Sequence, residues 1–352
     1  MVRKEKLSIL AAFAVTIFAG VLHHIHANAI LGFLITATAL AMVAMIVGNA
    51  TEQLGKRVGP GATGILQSAL GNLPELFVCI FALRAGLYQV VQAALIGSIL
   101  CNSLLVFGLA LFIGGLKNGT QHFNSGPPKM IVTLMLLAFA ALAIPTLTSL
   151  LHTSAKSHIN SLDIFVAILL LIIFIASTYF SLKDDKTVVP SKPNKGSNKV
   201  WSLPLTIFVL VGSGVGAAFV SDWFVQALTP AMHALGINEV FSGLVIVAIA
   251  GNAIENVVGI RLAYRNQSDY AVSVILNSSL QIALGLFPLL VLLSFFLGGA
   301  ILSFVLTPLL LVCLALAVII SAFIVFDGES IWLEGLALIG LYCLIAVAFW
   351  WG

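Results

Sequence analysis

Eleven times along this chain, a run of about 20 apolar residues is followed by a short polar break, and a helix needs a run of that length to cross the hydrocarbon of a bilayer. The runs lie near residues 7–25, 29–50, 62–85, 87–115, 129–150, 160–181, 201–225, 240–264, 269–297, 300–326 and 331–350. Composition agrees, with 61% hydrophobic and only 8% charged residues, where a soluble domain carries about a quarter. The expected fold is an all-α polytopic membrane protein of eleven transmembrane helices. No soluble domain has room between the runs. The longest polar stretch, Lys183 to Lys199, contains Pro190, Pro193 and Gly196 and reads as a flexible cytosolic linker.

Basic residues fix the direction of threading. With the N-terminus in the cytosol, 14 of the 16 Lys and Arg fall on the cytosolic side, and only Arg84 and Lys156 fall outside. A missed or invented span would scramble every later loop, so the split supports the count. The net charge of +3 is therefore a topology signal, and nucleic-acid binding is not expected. Arg3, Lys4 and Lys6 precede an apolar run that ends near Ala27. That pattern also describes a signal peptide, but retention as a first span is the expectation. Cys79, Cys101, Cys313 and Cys343 all lie in apolar runs without C-x-x-C spacing, so they read as buried small hydrophobes rather than disulfides or a zinc site.

Shifting the chain by 180 positions superposes it on itself. Gly71, Asn72 and Glu75 fall on Gly251, Asn252 and Glu255; Ser98, Leu104 and Phe107 fall on Ser278, Leu284 and Phe287. Five spans separate the two copies. Five is odd, so the second copy is upside down, which is the plan of an inverted-topology repeat. The expected organisation is an extra N-terminal helix (1–28), a first five-helix repeat (29–182), the linker (183–200) and a second five-helix repeat (201–352). A pseudo-two-fold axis in the membrane plane would then bring Glu75 and Glu255 together.

Those two residues are the centre of the functional reading. Of thirteen carboxylates, eleven fall by this span map in the N-terminal segment, in loops or near span ends, Asp163 and Asp222 among them. Only Glu75 and Glu255 lie deep, where a charge costs roughly 2.5–3.5 kcal/mol on insertion scales. Asn72 and Glu75 are three apart and share a helix face, as do Asn252 and Glu255. Carboxylate plus amide oxygen is the ligand chemistry of a hard cation such as calcium, and no thiolate or imidazole adjoins the motifs to suit a softer metal. Pro74 and Gly71 weaken the helix there, which either frees a carbonyl that could become a further ligand or makes a plain packing kink. Gly251, without a proline, predicts a milder distortion in the second copy. Ser98 and Asn102 share one face of the fourth span; Ser278 and Gln281 do so on the ninth. Ser98 and Ser278 are expected in the site, with Asn102, Gln281 and Pro74 as supporting groups, although Ser and Asn also serve as plain interhelical glue.

The stretch Gly71-Asn72-Leu73-Pro74-Glu75 followed by Gly97-Ser98-Ile99-Leu100-Cys101-Asn102 resembles the first repeat of the calcium/proton exchangers within the calcium/cation antiporters. Gly251-Asn252-Ala253-Ile254-Glu255 followed by Ser278-Ser279-Leu280-Gln281 resembles the second. The resemblance implies calcium export driven by proton entry, with Glu75 and Glu255 essential, Asn72, Asn252, Ser98 and Ser278 in support, and no cofactor beyond the transported Ca²⁺ and H⁺. Three departures stand out: Asn256 where the family often has His, Asn277 where Gly usually precedes the serine, and a linker that is mixed in charge rather than acidic. Sodium/calcium exchangers share the architecture but favour extra hydroxyls, so Asn72 and Asn252 point to the proton-coupled branch.

Two carboxylates held together in a low dielectric repel, and they exchange protons as a coupled pair. One Ca²⁺ or two protons would neutralise them, so only loaded states cross easily. The expected motion slides spans 1 and 6 and their repeat partners against a core of spans 3, 4, 8 and 9. A sodium- or potassium-coupled exchanger and a glutamate-ringed channel are the competing readings. An enzyme is not expected, since no nucleophile or metal motif stands in the spans. His23, His24 and His26 read as interfacial polar residues, and a prokaryotic plasma membrane is the expected location.

Overall fold

The computed structural model describes residues 3–25, 28–58, 70–183 and 201–351. These form α1 (Arg3–His24), α2 (Ala29–Val58), α3 (Leu73–Arg84), α4 (Tyr88–Asn118), β1 (Gln121–His122), α5 (Gly126–Leu150), α6 (Ile159–Lys183), α7 (Leu203–Leu235), α8 (Glu239–Gly251), α9 (Ala253–Tyr264), α10 (Ser268–Ser294), α11 (Pro308–Asp327), β2 (Glu329–Ser330) and α12 (Trp332–Trp351). Among the described residues nine helices are long and apolar enough to cross a membrane. A tenth span is counted if α8 and α9, bent by 61° at their junction, make one. The chain is a multi-pass integral membrane protein. Part of the expected 62–85 span, residues 62–69, lies outside the described residues, as does most of the 183–200 linker.

The buried heart is built by α4 and α10, whose apolar windows are 78% buried, against 22% for α1 and 17% for α7. The latter two turn apolar side chains such as Phe13 and Phe208 outward, where hydrocarbon is the fitting solvent. Both central helices widen to a π turn near their middles, at Cys101–Val106 and Ile282–Leu286. Such a turn re-aims the side chains beside it and is often found at functional sites. Gly97 of α4 and Gly243 of α8 let the two backbones touch. A Cβ on Gly97 would overlap the Leu244 backbone, and one on Gly243 would overlap the Val90 carbonyl, the small-residue packing that membrane helices use in place of a hydrophobic drive.

Each face is closed by loops gripped by core helices. On one face β1 pairs antiparallel with β2, Gln121 opposite Ser330 and His122 opposite Glu329. There the Asn124 amide donates to Asp269 at 2.6 Å, and Gln121 Nε2 to the Leu111 carbonyl at 2.9 Å. On the opposite face the segment between α10 and α11 is not helical and inserts Leu302, Phe304 and Leu306 into the core. Gln92 donates to the Ser303 carbonyl (2.7 Å), Thr146 to the Phe304 carbonyl (3.0 Å), and the Phe304 amide to Asp163 (3.4 Å). The expected span 300–326 is corrected here: helix begins only at Pro308, because Gln92, Thr146 and Asp163 satisfy the backbone of 303–306 without it. Asp163 is near a span end as expected, yet it is buried.

One further expectation changes. The seventh span runs to Leu235 rather than 225, tolerating Pro230, so Asp222 lies thirteen residues inside a helix instead of near its end. The longest helix–helix contact is between α2 and α7, with α1 packed on both. The sixth-span helix, α6, packs instead on α5 and on the core helix α10, Phe174 lying against Gly285. α1, α2 and α7 thus pack together as one group. Trp201, at the end of the linker, is buried and joins this unit. Its indole donates to Glu5 at 2.9 Å, its amide donates to Gln53 at 3.3 Å, and its carbonyl accepts from Arg57.

Candidate cation site

The two repeated motifs enter the helix that follows them with the same backbone conformation. Asn72 (φ −91°, ψ 14°) precedes α3 and Asn252 (φ −92°, ψ 23°) precedes α9. Pro74 sits in the first turn of α3, where its missing N–H costs nothing. In the second motif α8 and α9 are bent by 61° at this point, while residues 59–69, before the first motif, lie outside the described residues. Asn252 explains why no proline is needed: its Nδ2 donates to the Ala248 carbonyl at 2.8 Å, and its own amide reaches the same oxygen at 3.1 Å. The side chain thus closes α8 while α9 departs in a new direction. Each glutamate then falls in the first turn of the second helix, whose N-terminal amides favour negative charge.

The two breaks meet. The Glu75 side chain lies along Gly251, whose position a Cβ would bring to 3.8 Å of it. Glu75 is buried, and the Ser98 hydroxyl of α4 donates to its carboxylate. Glu255 is half-buried and lies within electrostatic reach of Glu75. Asn102, fully buried in the π turn of α4, donates to Asn252 Oδ1 at 2.9 Å and to the Ser278 hydroxyl at 3.0 Å. Asn72 Nδ2 reaches Gln281 Oε1 at 3.5 Å. Each break asparagine of one half is therefore met by an amide side chain from the central helix of the other half. Asn102 and Gln281 do not superpose in the repeat; they are one position apart after the shift, and they play matching roles.

All nine residues named from the sequence gather around this crossing, but with an asymmetry. Ser98 bonds Glu75, whereas its counterpart Ser278 bonds Asn102 and not Glu255. The Asn102 Oδ1 is buried without a protein partner among the described residues. A buried acceptor left unsatisfied costs about 1–3 kcal/mol, which a cation would relieve. Among the described residues no three His, Cys, Asp or Glu side chains cluster as metal ligands. A cation held here must combine the two carboxylates with amide, hydroxyl and backbone oxygens, which is hard-ion chemistry.

Sequence reading missed three neighbours. Ser103 and Ser279 bond each other at 3.0 Å across the two central helices, and Ser221 of α7 donates to the Pro74 carbonyl at 3.4 Å. The carbonyl expected to be freed by Pro74 geometry thus has a partner on α7. Cys79, Cys101 and Cys313 are free and buried as expected, while Cys343 is exposed on α12. His23 stacks on Trp223 at 5.8 Å, and His24 Nδ1 contacts the Gly20 carbonyl at 2.8 Å; His26 lies outside the described residues.

The family model described as sodium/calcium exchanger protein matches residues 28–183 and 205–351. The chain belongs to that family. Among its relatives, the Ca(2+)/H(+) antiporter ChaA of Bacillus subtilis is 34% identical over 324 residues, covering 90% of this chain and 91% of that protein. A Ca(2+)/H(+) antiporter of Aphanothece halophytica is 32% identical, covering 93% and 92%. The solved structure of native YfkE superposes with a TM-score of 0.84 at 30% identity, covering 98% of this chain and all of that one. The H+/Ca2+ exchanger CAX shares the fold, at a TM-score of 0.77 and 18% identity, with 99% and 92% coverage. The family match thus includes both broken-helix motifs and both central helices.

Proposed function

We propose that this family member is a secondary antiporter that exchanges cytosolic Ca²⁺ for external H⁺ by alternating access. It is a transporter and not an enzyme. The observation that carries the reading is the meeting of the two breaks: Glu75 against Gly251, and Asn102 tied to Asn252 and Ser278. Glu75 and Glu255 bind Ca²⁺ or protons in turn, with oxygens of Asn72, Asn252, Ser98 and Ser278 as further ligands and Asn102 and Gln281 in support. No cofactor is needed. Two charges and a few neutral oxygens suit one divalent ion, and two protons discharge the same pair.

The architecture is eleven spans, with residues 29–182 and 201–352 as inverted repeats after an extra helix at 1–28. Support comes from the equal dihedrals at Asn72 and Asn252, the two central π turns, and the reciprocal amide contacts. Two inverted halves cannot be equivalent in a state open to one side only, so the difference between Ser98 and Ser278 is of the kind alternating access requires. The N-terminus and linker face the cytosol of a prokaryote, and the membrane is its plasma membrane.

Calcium uptake into inverted vesicles with an imposed proton gradient tests this. Uptake is expected to follow the proton gradient, to ignore sodium and potassium varied independently, and to vanish in Glu75→Gln and Glu255→Gln. Uptake driven by sodium or potassium instead would favour the other exchanger branch. Flux without trans protons would make the protein a channel.

A further inference from the structure

The helix that carries Glu255 is held at both ends by one neighbour. α9 is 12 residues long and is set off from α8 by the bend at Asn252. At its start Asn252 accepts from Asn102 of α4 at 2.9 Å. At its end the last turn of the same α4 takes hold again. Asn118 Nδ2 donates to the Ala263 carbonyl at 3.2 Å, and Lys117 Nζ donates to the Tyr264 carbonyl at 3.1 Å. The Lys117 ammonium also lies 3.4 Å from the centre of the Tyr264 ring, over its face. The first half follows the same plan. Asn72, before α3, reaches Gln281 of α10 at 3.5 Å. At the end of α3 the Leu83 carbonyl accepts at 3.1 Å from the amide of Ala300, in the segment after α10. The repeat shift carries Leu83 onto Ala263 and residues 117–120 onto 297–300. Each glutamate helix is thus tied, start and finish, to the central helix of the other half or to the segment that follows it.

The last carbonyls of a helix have no partner within it, and a cation beside them is favoured by the helix dipole. Lys117 and Asn118 supply the charge and two donors. On a long, well-packed helix such a surface tie would matter little. α9 is short and joins α8 only through a bend, so its axis can pivot about Asn252 unless the far end is fixed. Ala263 lies eight residues beyond Glu255, about 12 Å at 1.5 Å per residue. A swing of that end carries the first turn with it and moves the Glu255 carboxylate relative to Glu75. Binding groups must be held to within about 0.5 Å to act together. We propose that Lys117 and Asn118 are positioning residues for the cation site, which from the far end of α9 hold the Glu255 carboxylate where one ion bridges it to Glu75. In the first half the corresponding tie uses a backbone amide, so it is the second half that side-chain substitution can release.

The proposal deepens the cation-site reading and rests on it, so Glu255→Gln is measured beside the clamp variants. The measurement is equilibrium Ca²⁺ binding to the purified full chain, with Ca²⁺ uptake into proteoliposomes in parallel. In the Lys117→Met/Asn118→Ala double variant the Ca²⁺ Kd should rise about tenfold, the size of one helix-end charge and one cation–π contact together. The uptake KM should rise with it, and the rate at saturating Ca²⁺ should change less. Lys117→Arg keeps the charge, the donors and the stacking, and should restore the wild-type Kd. Tyr264→Leu removes the ring but leaves the carbonyl; it should weaken binding by itself and add nothing to Lys117→Met. Where the double variant folds poorly, these single variants carry the test. A lowered unfolding midpoint with an unchanged Kd would reduce the clamp to a stability device and overturn the proposal. A tighter, salt-sensitive Kd in Lys117→Met would also overturn it, since the ammonium would then merely repel the incoming cation. Unchanged binding in Glu255→Gln would instead sink the site reading itself.

Discussion

Asn102 shows how much one buried side chain can organise. Its amide joins the second half's break, through Asn252, to the second half's central helix, through Ser278, and it does so from the first half. Asn102→Ala removes both donors and strands two buried acceptors, at about 1–3 kcal/mol. A lowered unfolding midpoint in detergent together with a weaker Ca²⁺ KM is the expected pair of outcomes. A stability loss with unchanged KM would make Asn102 glue alone. The sequence marked Glu75, Glu255, Asn72 and Asn252 clearly, since they repeat at a fixed offset and violate the cost of polarity at depth. Asn102 and Gln281 were harder to read, because their equivalence is a one-position offset created by the π turns, and no pairwise shift of the sequence displays it. Asp222 reads as near a span end because hydropathy falls about ten residues before α7 ends at Leu235.

Among the elements, the closeness of α4 and α8 depends on Gly97 and Gly243. Gly97→Leu must push the helices apart, since its side chain would enter the Leu244 backbone; overpacking of this kind costs about 1–3 kcal/mol. Reduced yield of folded protein by size-exclusion chromatography is expected, whereas Gly32→Leu and Gly340→Leu, which meet open space, should be neutral. Equal yields of all three would contradict the crossing. The helices themselves were legible as apolar runs to within a few residues. The non-helical 295–307 segment was not, because its apolar side chains look like helix in a hydropathy count. Its backbone partners, Gln92, Thr146 and Asp163, are distant in sequence. The α8–α9 break likewise has no proline to announce it.

At the scale of the whole molecule, the loops clasp the core helices while α1, α2 and α7 pack chiefly on one another. The β1–β2 pairing joins the ends of α4 and α11, so it should persist throughout the cycle. A His122→Cys/Glu329→Cys pair, directly opposite in that pairing, is expected to cross-link with exchange retained; loss of exchange on cross-linking would mean the core itself deforms. The 180-residue shift aligns both motifs in sequence, yet it does not foretell the unequal hydrogen bonding of Ser98 and Ser278. What all of this requires is that Glu75 and Glu255 hold the same ion. Equilibrium Ca²⁺ binding to the purified protein, titrated with pH, addresses that directly. Wild-type protein should bind one ion that protons displace, and Glu75→Gln or Glu255→Gln alone should each weaken binding by at least ~100-fold, beyond the usual cost of losing an outer-shell partner. Retention of full affinity in either single variant would show that the two carboxylates do not share a site.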